Sequence, residues 1–246
     1  MIARINAQKK VYKEVLNSIS QVIRGEDSDR PMDLNLVAEE SGQVKIYVRQ
    51  YKNLQVLHEL KTGPNIDIEV KNDSQFVFSS QTLSSLIQST DSKEVEIELD
   101  IDQFEVKIED GWFTTPTTFD LPLYRESEFN KPLSPPNLTT IATLDRTSLR
   151  SNLRMMKTIA PEFGLEIEGD ELWFSVNDKV QGSGEVMKEI DNTDIIHDRQ
   201  YAIEPVDKFL KNIKADTVEL SVNNSSLCLS SAESGHDSEL LLASRL

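Results

Sequence analysis

The sequence predicts an α+β protein of two similar domains, each made of antiparallel strands with two helices. Three observations predict it. The order strand, helix, strands, helix, strands occurs twice; the most regular strand alternates charged and apolar residues; and a proline-rich stretch separates the two runs. On this reading residues 1–118 form the N-terminal domain, 119–138 a connector and 139–246 the C-terminal domain.

The first run opens with a strand at Ile2 to Ile5. Asn6 is placed as the cap of a helix reaching Ile23, because Val11, Val15, Ile19 and Val22 follow helical spacing. Strands follow at Met32 to Val37, Val44 to Arg49 and Ile66 to Val70. A second helix spans Ser80 to Thr90, with Leu83, Leu86 and Ile87 inward. Glu94-Val-Glu-Ile-Glu-Leu-Asp-Ile-Asp102 alternates with period two, so one face is wet and the other buried. Phe104 to Ile108 and Trp112 to Thr115 are its expected partners.

The second run repeats the order. A strand at Thr140 to Leu144 leads into Asp145 as a helix cap, and the helix runs to Ala160, where Pro161 forbids continuation. Strands follow at Leu165 to Ile167, Leu172 to Val176 and Glu185 to Ile190. Glu204-Pro205 opens a helix to Ala215, since proline suits the first helical turn. Strands at Val218 to Val222, Ser226 to Ser230 and Glu239 to Ala243 close the chain. Letters repeat as well: Ala3-Arg-Ile-Asn resembles Ala142-Thr-Leu-Asp, and Val95-Glu-Ile-Glu-Leu resembles Val218-Glu-Leu-Ser-Val. The connector holds Pro122, Pro132, Pro135 and Pro136, which favour an extended path. It also carries Leu121, Leu123, Tyr124 and Phe129, more apolar groups than a solvated linker needs.

Composition narrows the function. No apolar run is long enough for a membrane span or a signal peptide, and the one cysteine, Cys228, permits no intrachain disulfide. An intracellular protein is expected, in the cytoplasm or nucleoid, a nucleus, or an infected host cell. The formal charge of −16 would by itself repel nucleic acid. The basic residues are segregated, however. Arg146, Arg150, Arg154 and Lys157 fall within an arc of about 80° on the third helix. Lys208, Lys211 and Lys214 share a face of the fourth, and Lys9, Lys10 and Lys13 a face of the first. These ten of 26 basic residues sit with few acids, Glu14 and Asp207, on three helices. Solubility calls for mixed signs, whereas spaced lysines and arginines suit non-specific contact with a duplex backbone. No aromatics interleave with them, so stacking on single-stranded bases is not indicated.

No catalytic residue is expected. No phosphate loop, dinucleotide fingerprint or nucleophile elbow is present. His58, His197 and His236 are scattered, so neither a metal site nor any other cofactor is expected.

Several stretches carry a resemblance. Leu36-Val-Ala-Glu-Glu-Ser-Gly-Gln-Val-Lys-Ile-Tyr-Val48 is similar to an L-x-x-x-D-x-x-x-V-x-L hairpin with Glu40 for the aspartate. Asp170 to Gly184 is similar to G-V-K-F-S-x-x-G-D-x-G-x-G, and Leu241-Leu-Ala-Ser-Arg-Leu246 to a terminal Y-L-A-P-K/R-I. These patterns, with the proline-rich connector, resemble the PCNA-type DNA sliding clamps of eukaryotes, archaea and some of their viruses. The resemblance implies the DNA clamp fold, three subunits closed into a ring, and helices around a central hole. It implies a processivity factor, not an enzyme, that encircles double-stranded DNA and tethers replication and repair enzymes. Its partners would be the DNA backbone, a clamp loader, and a DNA polymerase and other clients docking through a short peptide motif. The ten basic residues would face DNA, and Leu121, Leu123, Tyr124, Ala243 and Leu246 would form the client pocket. The ring would join the strand near Glu105 to Phe113 of one subunit to Leu172 to Val180 of the next. Departures are the second helix, which has no basic residue, Ser244 in place of proline, and Glu39 where the family pocket has an apolar residue. The alternatives left open are an acidic β-rich hydrolase and a monomeric clamp-fold processivity factor.

Overall fold

The computed structural model describes residues 1–23, 33–50, 54–100, 103–108, 117–121, 137–168, 171–176, 179–185, 199–233 and 236–244. In chain order the elements of the first half are β1 (Ala3–Gln8), α1 (Lys9–Ile23), β2 (Asp33–Glu39), β3 (Gln43–Gln50), β4 (Leu54–Leu60), β5 (Ile66–Val70), β6 (Ser74–Ser79), α2 (Ser80–Ser89), β7 (Glu94–Asp100), β8 (Gln103–Ile108) and β9 (Thr117–Leu121). Those of the second half are β10 (Thr139–Asp145), α3 (Arg146–Lys157), β11 (Glu162–Glu168), β12 (Glu171–Val176), β13 (Lys179–Glu185), β14 (Gln200–Ala202), α4 (Ile203–Asn212), β15 (Thr217–Val222), β16 (Ser226–Glu233) and β17 (His236–Ala243).

The strands form three antiparallel sheets. One runs β5-β1-β7-β8-β9, one β10-β15-β16-β17-β4-β3-β2-β6, and one β13-β12-β11-β14. The two halves repeat each other's pairing: β1-β7-β8-β9 corresponds to β10-β15-β16-β17, and β6-β2-β3-β4 to β14-β11-β12-β13. The middle sheet therefore joins one block from each half. Its seam is β17 against β4, in register from His236 opposite Leu60 to Leu242 opposite Leu54. The matching strands β9 and β13 each end a sheet. The true repeat register differs from the letter match. Ile5 faces Ile97 and Ala142 faces Leu220, so Ala142 is the counterpart of Ile5, not of Ala3.

Helix-forming segments behave as their patterns dictate. The buried face of α1 carries Val11, Tyr12, Val15, Leu16, Ile19, Val22 and Ile23, and the Tyr12 hydroxyl donates to Ile5 O at 3.0 Å. Asp145 accepts from Ser148 N at 2.7 Å, and this bond from the first turn holds its carboxyl below the usual range. Ser79 caps α2 in the same way. Gly42, at φ +84°, closes the β2–β3 turn with its N–H on Glu39 O at 2.9 Å. Packing between neighbouring helices sets the row α2, α1, α4, α3.

Several expectations are corrected. Asn6 is no cap, because β1 continues to Gln8 with Ala3, Ile5 and Ala7 alternately buried. α3 stops at Lys157, where the Thr158 hydroxyl donates to Met155 O at 2.7 Å, three residues before Pro161. α4 stops at Asn212 instead of Ala215. β4 is a strand the sequence reading missed, and β9 takes in residues 119–121, which that reading put in the connector. Glu105 to Ile108 lies in β8 and Leu172 to Val176 in β12, both paired on two sides, so neither is a free edge. The strand expected at Trp112 to Thr115 lies outside the described residues, as does Val186 to Ile190. Among the described residues no helix is long and apolar enough to cross a membrane.

Candidate nucleic-acid interface

The ten basic residues all lie on, or just beyond, three helices of one row, but their surroundings divide them. Lys9 and Arg146 begin the first helix of each half, and both reach the C-terminal end of the second. Lys9 Nζ donates to Thr90 O, the C-cap of α2, and Arg146 Nη1 donates to Leu210 O in the last turn of α4 at 3.2 Å. The last carbonyls of a helix have no intrahelical partner and carry its negative dipole end, so a cation there stabilises the helix. Burial is the first cause that lowers the Lys9 pKa, with the neighbouring Lys13 ammonium second.

Four more meet carboxylates. Arg150 Nε donates to Asp207 Oδ1 at 2.9 Å, both partners being largely covered. Glu204, in the first turn of α4, holds Lys208 at 2.6 Å and Lys157 at 3.7 Å, and the bond from Lys208 leads the causes that keep its carboxyl below the ordinary range. Lys214 Nζ pairs with Glu14 of α1 across the boundary between the halves, while its backbone N–H donates to Glu233 Oε1 at 2.7 Å. Lys10, Lys13, Arg154 and Lys211 carry no hydrogen bond or ion pair to a carboxylate among the described residues, and Lys10, Arg154 and Lys211 are exposed. Helical spacing alone gives neither Asp207 nor Glu204 a partner on α3. The helix packing of α3 against α4 brings both onto the basic stripe.

The expected client pocket is described only in part. Leu121 ends β9 and pairs with Phe104, and Ala243 ends β17 opposite Ser226. Leu123, Tyr124 and Leu246 lie outside the described residues. Glu39 is ion-paired with Lys45 at 2.7 Å, and Ser244 N donates to Ser225 O at 2.8 Å. A group missed in sequence lies on the sheet face turned away from the helix-facing core. Tyr47, Leu57, Cys228 and Leu241 are buried there with Gln55, and the Tyr47 hydroxyl accepts from Gln75 Nε2 at 3.0 Å. Burial pushes the Tyr47 hydroxyl up to about 12 and raises the Cys228 thiol too, so Cys228 is an inert packing residue. The signal was Leu54-Gln-Val-Leu-His-Glu-Leu60, whose four aliphatic residues fall at 54, 56, 57 and 60 without strict alternation, as burial on both faces allows.

Two of the three histidines are not scattered after all. His58 and His236 lie with ring centroids 6.0 Å apart at the β4–β17 seam. One ligand atom each of Glu14, Glu233 and His236 lies within 4.8 Å of the others, but Glu14 and Glu233 already bond Lys214 there. The charged face of the Glu94–Asp102 alternation also finds partners, Glu96 and Glu98 sharing Lys107 and Asp100 meeting the N-terminus at 3.0 Å. Asp102 lies outside the described residues.

No family model matches the chain, and no curated protein matches it. Solved structures do. A DNA polymerase III beta subunit from Thermotoga maritima superposes with a TM-score of 0.70 at 14% identity, over 98% of this chain. The chain spans 64% of that subunit's length. PCNA from Thermococcus kodakaraensis gives 0.69 at 13% identity, covering 99% of this chain and 100% of that one. A PCNA2–PCNA3 complex from Sulfolobus tokodaii gives 0.67 at 16%, covering 98% and 99%.

Proposed function

We propose, from the sliding-clamp fold that this chain has, that it is a ring-forming clamp: a scaffold, not a catalyst, that encircles duplex DNA and holds replication and repair enzymes to it. The observation that carries this reading is the inequality of the seams. β17 pairs with β4 inside the chain, and its counterparts β9 and β13 end their sheets without a partner among the described residues. A second copy offers β13 to β9 and leaves the same two edges for the next, a head-to-tail contact that closes into a ring. The helix row supports it. α1 meets α4 inside the chain, so α3 would meet α2 of the neighbour, and Met155 of α3 and Ile159 just beyond it are exposed apolar groups, 50% and 45% accessible. Residues 1–118 and 139–246 are then two clamp domains joined by the connector 119–138, whose first three residues continue β9, with three copies per ring.

Three chains of charge −16 would carry −48, which repels DNA from the outside and favours the helix-lined hole. There Lys10, Lys13, Arg154 and Lys211 make weak phosphate contacts that read no bases and so permit sliding. Clients such as a polymerase would dock by a short peptide that engages Leu121, Leu123, Tyr124, Ala243 and Leu246, and a clamp loader would open the ring. The setting is intracellular. The test is mass by light scattering joined to retention on DNA. A trimer that stays on nicked circular DNA and runs off linear DNA is expected. A monomer at all concentrations overturns the ring, and equal loss from circular and linear DNA overturns encirclement.

A further inference from the structure

We infer that Asp207 and Glu204 are internal counter-anions on the DNA-facing helices, which occupy Arg150, Lys157 and Lys208 and keep the grip on duplex phosphate weak. The inference rests on the DNA-encircling reading above and adds how that surface is tuned. The geometry is specific. Asp207 and Glu204 stand one turn apart on α4, at i and i+3, so they share one side of it. That side meets the arginine and lysine stripe of α3. Asp207 takes the Nε of Arg150 at 2.9 Å, and Glu204 bridges Lys157 of α3 and Lys208 of α4 at 3.7 and 2.6 Å. Two carboxylates thus engage three cations.

The placement is costly for a surface meant only to bind. Each carboxylate offers a charged partner that a phosphate must displace, and its own charge repels the approaching backbone. A clamp that must hold without stalling gains from that competition. Phosphate contacts scale the free energy of binding through counterion release, so three cations held by carboxylates lower both the grip and its salt dependence. Helix stability alone does not explain the pair. Glu204 suits the positive end of α4, but Asp207 lies a turn further in, where that benefit has faded.

The experiment uses the full chain and a short duplex, read by fluorescence anisotropy over a salt series, with circular-DNA retention alongside. Asp207→Asn with Glu204→Gln should tighten binding several-fold at low salt. Its log–log salt slope should steepen by up to about 2.7, from three released cations at about 0.9 each. Diffusion along the DNA should slow. Glu171→Gln with Glu219→Gln removes the same two charges from exposed strand positions and is the control. Glu204→Gln alone, releasing two lysines, serves if the double variant folds poorly. Tightening by the α4 variant and not by the control supports the inference. Equal tightening by both overturns it, since bulk charge would then suffice. An unchanged slope in the α4 variant, with the parent binding normally, overturns it and leaves the clamp reading intact. A parent and variant that both ignore duplex DNA at low salt overturn the clamp reading itself and the inference with it.

Discussion

His58 makes the seam between β4 and β17 sensitive to acid. The ring is 2% exposed, its Nδ1 is 2.9 Å from Ser238 Oγ, and its Nε2 has no partner among the described residues. Burial, helped by His236, pulls its pKa from 6.5 down to about 3. The folded chain thus holds this imidazole neutral while the unfolded chain protonates it below pH 6.5. Stability from this group is complete above pH 6.5, falls by up to about 1.4 kcal/mol per unit on acidification, and stops falling near pH 3. From pH 7.5 to pH 4.5 the loss is about 2 to 3 kcal/mol. Urea unfolding at fixed protein concentration would measure it. His58→Phe with Ser238→Ala replaces the polar pair by apolar groups of similar shape, so its absolute stability need not match the parent. The quantity to compare is the change between the two pH values. Glu14, Glu233, His236 and Lys214 are present in both proteins, so the difference between the two losses reports the His58–Ser238 pair with its His236 neighbour. The parent should lose about 2 to 3 kcal/mol more than the variant. Equal losses would show that His58 is protonated in the folded chain, and the reasoning from burial would fail.

Other outcomes follow from single contacts. Met155→Asp with Ile159→Asp should lower the mass in solution to one chain while leaving the circular dichroism unchanged, since both side chains are exposed in the isolated subunit. Asp145→Ala should lower the urea midpoint through loss of the α3 cap, and an unchanged midpoint would show that the cap contributes nothing. Leu123→Ala with Tyr124→Ala should weaken a bound client polymerase by about 2 kcal/mol in calorimetry if these are its anchors; unchanged affinity would move the pocket elsewhere on the chain.

Local rules were enough to read much of the fold. The alternation from Glu94 to Asp100 gave β7 with Val95, Ile97 and Leu99 inward, and Asp145 before Leu149 and Leu153 gave the start of α3. β4 escaped because a strand buried on both faces has no period, and its partner β17 lies at the far end of the chain. The N-terminus of α1 was misplaced because Asn6 satisfies a cap pattern, while pairing of β1 with β7 as far as Gln8 overrides it. The basic stripes were legible from helical spacing alone. Which cations are free was not, because that depends on Asp207 and Glu204 of α4 meeting α3, a relation between helices more than fifty residues apart. Likewise, His58 and His236 are brought together only by the seam register.

That seam also dictates an order of folding. Lys61 and Asp237, paired across it, lie 176 residues apart, and β17 is the last strand of the chain. A ribosome delivers β2, β3 and β4 long before the strand that covers the edge of β4. Closing so long a loop adds only modestly to the entropic cost, but contacts of such separation slow the search. In the interval β4 offers an unpaired edge with Leu54, Val56, Leu57 and Leu60 on its two faces, the kind of edge on which chains aggregate. A chain cut before His236 keeps that edge open permanently, so β17 covers the first half of the fold as well as its neighbour β16 in the second.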